Sequence, residues 1–362
     1  MREMDFALPA YDDRRRLAIR EWIEQYPDPS PADLAAAGYV VPGWPRPWGL
    51  EADPETQLII AEELAAAGID QQGHNPIGIG WAGPTILAGG TEEQKVRFLP
   101  PLIRGEEIWC QLFSEPDAGS DLASLTTRAE RDGDVYVING QKVWNTWAGE
   151  ADYGILLART GGPRQKGISY LLCPMRQPGI TVRPIKEMTG RAHFTEVFFD
   201  HARVPIDHLL GQENEGWPLA KLTLGNERVS LSSGGVLWGM GPTTSEVLAA
   251  ATRPFDPVRR QQAIALHIEA EVMRLMGMRV LSAQMAGRSP GPEAAVKKML
   301  ADRHGQKAMR FLRDAASAHG LLDGDEESWG FLFSPALTIG GGTSQVLANI
   351  IGESILGLPR DN

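Results

Sequence analysis

Two short segments carry the residues best suited to hold a flat, polar-edged ligand. The first is Ser114-Glu115-Pro116-Asp117-Ala118-Gly119-Ser120-Asp121, the second Asn139-Gly140-Gln141-Lys142-Val143-Trp144-Asn145-Thr146. Small residues, hydroxyls and a turn in the first let backbone approach a ligand closely. Its N–H groups and hydroxyls suit a pyrophosphate or the edge of an isoalloxazine. In the second, Trp144 and Thr146 stand two apart, which puts them on one face of a strand. There an indole can lie on a ring system while a hydroxyl meets its polar edge. Neither segment has the glycine spacing of a dinucleotide fingerprint or a P-loop, so neither of those folds has an anchor here.

These segments lie in a stretch whose pattern is β. Residues 108–213 alternate apolar and polar, as in Val135-Tyr136-Val137-Ile138, Tyr153-Gly154-Ile155-Leu156-Leu157 and Tyr170-Leu171-Leu172. Asp132-Gly133-Asp134 and Asn139-Gly140 are hairpin signals. Before it the pattern is helical over Tyr11–Gln25, Pro31–Ala37 and Asp53–Ala67, the last with Leu58, Ile59, Ala61 and Leu64 inward. Thr91 with an acidic first turn caps a further helix. After Trp217 the pattern is helical again. Val258–Met285 and Glu293–Ala318 are long enough for antiparallel bundle helices, with a break at Ser289-Pro290-Gly291-Pro292. The expectation is an α+β multidomain chain. It has an N-terminal helical domain over 1–107, a middle antiparallel β domain over 108–215 and a C-terminal four-helix-bundle domain over 216–362.

The 362 residues suffice for two or three cores, and 43% are hydrophobic. No run reaches the roughly 18 apolar residues of a membrane span. Met1-Arg2-Glu3-Met4-Asp5 lacks the apolar run of a signal peptide. Cys110 and Cys173 read as buried free thiols, so a reducing cytoplasm is the expected location. A net charge of −11 argues against nucleic acid. The seven histidines, His74, His193, His201, His208, His267, His304 and His319, show no metal-ligand spacing. No Gly-x-Ser-x-Gly elbow for acyl hydrolysis is present.

The two segments resemble the flavin-binding blocks of the acyl-CoA dehydrogenase family. Gly105-Glu106 with Ile108–Phe113 resembles the strand leading into the first block, Phe194–Phe199 with Arg203-Val204-Pro205 and Gly216-Trp217 the end of the family's middle domain, and Gly341-Gly342-Thr343-Ser344-Gln345 with Leu356–Arg360 its C-terminal signature, all in family order. The resemblance implies helix, sheet and helix domains with FAD as cofactor. It places Phe113, Ser114, Gly119, Ser120, Trp144 and Thr146 against the flavin, with Ser120 also in the acyl-thioester channel. Thr343 and Gln345 go to the ribityl-pyrophosphate side. The implied partners are an acyl-CoA substrate and an electron-transferring flavoprotein.

The reaction the resemblance implies takes an α-proton to a base and a β-hydride to flavin N5, giving a trans-2-enoyl thioester. A carboxylate base needs a hydrogen-bonded enolate oxygen and a dry site. Many family members carry the base as Glu immediately before Gly-Thr-Ser-Gln, where this chain has Gly341. A minority place it on the first long helix of the C-terminal domain, before an Arg. Here that pair is Glu227-Arg228, which makes Glu227 the expected base. Gly341 would offer its N–H to the thioester oxygen and leave room for the helix-borne carboxylate. Arg228 would act on the substrate through the electrostatics of the site.

In the family a neighbouring subunit completes each flavin site. The matching regions here are Thr252–Gln262, with Arg253, Phe255, Arg260 and two intruding prolines, and Ala316–Leu321, which keeps only Gly320 of a glycine pair. Two assemblies fit this: a homotetramer in which Arg253 or Arg260 still meets the pyrophosphate, or a heterotetramer with a related chain, as in members acting on sterol-derived thioesters. Two other functions keep the fold: a non-catalytic or flavin-completing subunit, and a flavin-dependent oxidase or monooxygenase.

Overall fold

The structure, a computed structural model, describes residues 9–71, 73, 75–232, 235–250, 257–285, 292–321 and 326–359. It divides into two compact units, and the boundary on the C-terminal side falls between Leu224 and Gly225.

The larger unit begins with helices α1 (Arg14–Gln25), α2 (Pro31–Ala36), α3 (Pro54–Ala66), α4 (Gly83–Gly89) and α5 (Glu92–Ile103). Their starts follow capping chemistry. Asp13, Ser30, Asp53 and Thr91 each accept a backbone N–H of the first turn, and Ser30 and Thr91 form full capping boxes with Asp33 and Gln94. Asp13 therefore starts α1 at Arg14 rather than at Tyr11. In α3 the inward face is Ile59, Ile60, Glu63 and Leu64, with Leu58 and Ala61 only half-buried. The stripe is turned because Glu63 is drawn in by Arg16 and Arg20 of α1, each at 2.7 Å.

The sheet comprises β1 (Trp109–Leu112), β2 (Arg128–Asp132), β3 (Val135–Thr146), β4 (Tyr153–Arg159), β5 (Ile168–Pro174), β6 (Ile180–Ile185), β7 (Phe194–Pro205) and β8 (Leu209–Leu210). Its order is β6-β7-β3-β2-β4-β5-β8, with β1 beside β4. The ladders are antiparallel except that β4 runs parallel to β1 and, at one residue pair, to β2. Period two shows in the cores: Ile155 and Leu157 join the face packed on the helices, Leu156 and Ala158 the opposite one. Asp132 and Val135 pair across the expected β2–β3 hairpin, with Gly133 at φ +60°. Asn139-Gly140 is not a hairpin. It lies within β3 as a register shift against β7, and a side chain at Gly140 would meet the Thr127 Oγ1 at 2.5 Å. Cys110 and Cys173 are buried free thiols whose pKa burial pushes up.

Beyond the sheet come α6 (Trp217–Leu231), α7 (Thr244–Ala250), α8 (Pro257–Met285), α9 (Glu293–Ala315), α10 (Glu326–Phe333) and α11 (Ser344–Ser354). The helix bearing Glu227 runs 15 residues and ends at Leu231, one turn beyond the carboxylate. The smaller unit, from Gly225 onward, is a helical body built on α9, whose buried face includes Ala295, Lys298, Asp302, Gly305, Met309 and Leu312. That i, i+3, i+4 stripe is the amphipathic pattern, with two charged residues set into it. Among the described residues no helix is long and apolar enough to cross a membrane, and no cluster of His, Cys, Asp and Glu could hold a metal.

Candidate active site

In the larger unit the two segments come together on the backbone, the Val143 N–H donating to the Ser114 carbonyl at 3.0 Å. A buried ion pair ties them. The Lys142 ammonium, wholly enclosed, donates to Glu115 Oε1 and to the Phe113 carbonyl, each at 2.9 Å. Glu115 also accepts from the Thr126 N–H and hydroxyl and from the Thr127 N–H, at 2.7 to 2.9 Å. Burial pushes the Glu115 carboxyl up, yet Lys142 and these donors outweigh it and hold it near about 2. Burial draws the Lys142 ammonium down to about 8 against the pull of Glu115. The four donors to the carboxylate keep the pair ionised near neutral pH.

This clamp presents Trp144 in an unusual way. The residue sits at a second register shift of β3, with φ +63°, and is 59% exposed. Left-handed backbone at a tryptophan is strained. Its ring touches Phe194 edge-on at 6.0 Å and leaves a face open. The Ser114 and Thr146 hydroxyls make no hydrogen bond with described residues, and the buried Asn145 Oδ1 has no partner. An open indole face, two spare hydroxyls and an orphaned amide oxygen form a donor and acceptor set that fits a flavin ring.

The smaller unit holds a second cluster. Glu227 on α6 is buried, at 8% exposure, and Arg228 is half-buried. Burial pulls the Arg228 guanidinium below its usual range, while Glu227 opposes it. Lys298 of α9 is fully enclosed. It donates to Asp302 Oδ2 at 2.8 Å, to the Leu337 carbonyl at 3.0 Å and to the Gly340 carbonyl at 2.7 Å, and Glu227 and Arg228 both act on its charge. Burial pushes the Asp302 carboxyl up to about 6, against Lys298. Gly341 follows at φ +65°, its N–H without a partner among described residues. A Cβ there would meet Leu231 Cδ1 at 2.6 Å and Lys298 Cε at 3.0 Å.

Thr343 is the N-cap of α11, its hydroxyl accepting the Val346 N–H at 3.2 Å, and Gln345 is exposed in the first turn. A capped helix start behind the Gly341-Gly342 turn suits a phosphate. Phe113 is core, edge-on to Tyr170, so its ring supports the site by packing. Gly119 and Ser120 are exposed at the turn, and a Cβ at Gly119 would meet nothing of its own chain. Arg253 lies outside the described residues. Arg260 is exposed on the first turns of α8. Gly320 is demanded by packing, because a Cβ would meet the Arg313 carbonyl at 2.4 Å.

Lys142, Glu115, Lys298, Asp302 and Trp238 are the residues that motif reasoning passed over. A signal for Lys298 and Asp302 was available: both fall on the apolar stripe of their helix, where a charge must find a partner.

A helical block, a sheet carrying an aromatic flavin-type edge and a helical body carrying a buried carboxylate define a flavoprotein dehydrogenase class. Residues 14–106, 110–202 and 214–356 match the N-terminal, middle and C-terminal domains of acyl-CoA dehydrogenases. The chain is 41% identical over 331 residues to the acyl-CoA dehydrogenase FadE34 of Mycobacterium tuberculosis, matched over 90% of the chain and 46% of that protein; the chain thus spans under half of its length. It is 39% identical over 340 residues to the acyl-CoA dehydrogenase IpdE1 of the same organism, with 91% and 87% covered. Among solved structures it is similar to the Tcur3481-Tcur3483 steroid ACAD, at TM-score 0.82, 28% identity and coverage of 99% and 100%. The ChsE4-ChsE5 complex from Mycobacterium tuberculosis gives TM-score 0.81 and 29% identity with the same coverage. The chain belongs to the acyl-CoA dehydrogenase family of flavoprotein oxidoreductases.

Proposed function

We propose that the chain catalyses FAD-dependent α,β-dehydrogenation of a bulky acyl-CoA thioester, with Glu227 as the base. The observation that carries this reading is the burial of Glu227 in one cluster with Lys298, Arg228 and the side-chain-free Gly341. Ser114, Trp144 and Thr146 would hold the flavin ring, and Thr343 and Gln345 its ribityl-pyrophosphate side. When bound, FAD supplies the acceptor for the β-hydride. Glu227 takes the proton from carbon two, and the free Gly341 N–H donates to the thioester oxygen as negative charge gathers there. Enclosure of the carboxylate keeps water from competing for its proton.

Two observations favour a bulky acyl group. One of the similar solved structures is called a steroid ACAD. Within the smaller unit a cavity of about 370 Å³ is lined by Leu231, one turn along α6 from Glu227, and by Trp238, Met273, Lys297, Asp302 and His304 among others. A heterotetramer with a related chain is the assembly we favour over a homotetramer. A similar structure is a two-protein complex, and α8 exposes Ile264, Ile268, Val272 and Leu275 at helical spacing. Electrons would pass on to an electron-transferring flavoprotein.

The test is Glu227→Gln, mixed anaerobically with linear, branched and steroid-side-chain thioesters. Flavin content should stay at the wild-type level while the rate of flavin bleaching falls about 10²–10⁴-fold. Near-normal turnover removes Glu227 from the role. Adding Gly341→Glu should not restore full activity, because the left-handed backbone and Leu231 oppose any side chain there. Flavin per chain, measured on the chain expressed alone, tests the assembly: full occupancy eliminates the hetero-oligomer.

A further inference from the structure

The ammonium of Lys298 has three N–H bonds, and all three are spent inside the protein. One goes to Asp302 four residues along α9, and two go to the carbonyls of Leu337 and Gly340. These carbonyls flank the end of the 3₁₀ turn Ser334–Thr338, which leads directly into Gly341. The Trp238 ring lies 5.4 Å from the ammonium, and a Cβ at Gly340 would strike it at 2.6 Å. The stem of Lys298 fills the direction in which a side chain at 341 would point. The charges acting on it are Asp302 on its own helix and Glu227 and Arg228 on α6.

We propose that Lys298 is a positioning residue for the reaction. It anchors the Leu337–Gly341 turn to α9 so that the Gly341 N–H stays free and its Cβ direction stays closed, and it sets a cation beside Glu227. With no N–H left over, it has nothing to offer the substrate, so its action passes through Gly341 and Glu227. The inference rests on Glu227 being the base. It also gives a reason for the glycine: a loop-borne carboxylate and this lysine need the same space.

Two variants separate positioning from plain structural support. Lys298→Met removes a cation that acts on Glu227, so the acid limb of the kcat/KM profile should move up by about one pH unit. Lys298→Met with Asp302→Leu removes both charges and keeps the bulk, which buried pairs tolerate with little loss of stability. Its melting temperature should stay within a few degrees of the wild type. Its 337–342 backbone should nonetheless exchange amide hydrogens at least about tenfold faster, with kcat down by about tenfold. A double variant that exchanges and turns over like the wild type overturns the proposal. So does an acid limb unmoved in Lys298→Met while Glu227→Gln abolishes turnover, a result that leaves the base assignment standing. Full activity in Glu227→Gln fells the base assignment instead, and the exchange rate still decides whether Lys298 holds the turn.

Discussion

Each of the two clusters is built on a buried lysine paired with a carboxylate, yet the pairs are finished differently. Glu115 receives Lys142 and three further donors from Thr126 and Thr127. Asp302 receives Lys298 and only a long contact, 3.4 Å, from the Trp238 indole. Both lysines spend their remaining bonds on backbone carbonyls beside the functional segment: Phe113 in one, Leu337 and Gly340 in the other. The full set of donors holds the Glu115 carboxyl near about 2, while the sparse set leaves Asp302 near about 6. Burial is the leading influence on both carboxyls. The count of donors decides which way each one goes. The flavin-type edge is thus set in a charge state that neutral pH does not disturb, and the cluster around Glu227 in one that it can.

The comparison breaks most readily at the better-satisfied pair. Glu115→Leu strands Lys142 without its counter-charge and should cost about 3–5 kcal/mol in urea unfolding. A loss under 1 kcal/mol would show that neither the ion pair nor the Thr126 and Thr127 bonds to its carboxylate hold the segment. Asp302→Asn should cost less, about 1.5–3 kcal/mol, because Lys298 keeps both carbonyls and an amide oxygen. Equal losses in the two variants would erase the distinction drawn between them. Acidity sharpens it further. Asp302 has its folded pKa raised from 3.8 to about 6, so its contribution is complete below pH 3.8 and fades as pH rises through about 6. Going from pH 7 to pH 5, the wild type should gain about 1 kcal/mol over Asp302→Asn. Glu115 is lowered from 4.5 to about 2, so its contribution stands above pH 4.5 and is lost as pH falls through about 2. Over the same pH 7 to 5 interval the Glu115 carboxyl itself does not titrate, but Glu115→Leu should lose stability relative to wild type, because Lys142, already drawn down to about 8 with its partner present, must take up a proton without a counter-charge. Removing the cap of α11 by Thr343→Ala should cost about 1 kcal/mol or less, and circular dichroism melting would detect it.

Local chemistry was the legible part. Thr91 and Asp53 announce their helices because a side-chain oxygen beside an unpaired N–H has one obvious use. Asp132-Gly133 makes its hairpin, but Asn139-Gly140, which carries the same signal, becomes a bulge. The partner strand β7 continues past it, and only tertiary pairing can tell the two outcomes apart. The face of α3 was misplaced by two arginines on another helix, which periodicity within α3 does not contain. Ser114, Trp144, Thr146 and Glu227 are candidates that motif order alone singles out. The lysines that hold their surroundings could not, since each gains its meaning from carbonyls far away in sequence: 29 residues for Lys142 and 42 for Lys298.

The kink at Trp144 has a consequence for selection. A glycine would rest at that backbone angle without protest, releasing about 1–3 kcal/mol that the tryptophan holds as strain. A library screened only for survival of heating should therefore drift towards glycine at 144. Screened for yellow colonies as well, it should keep the indole.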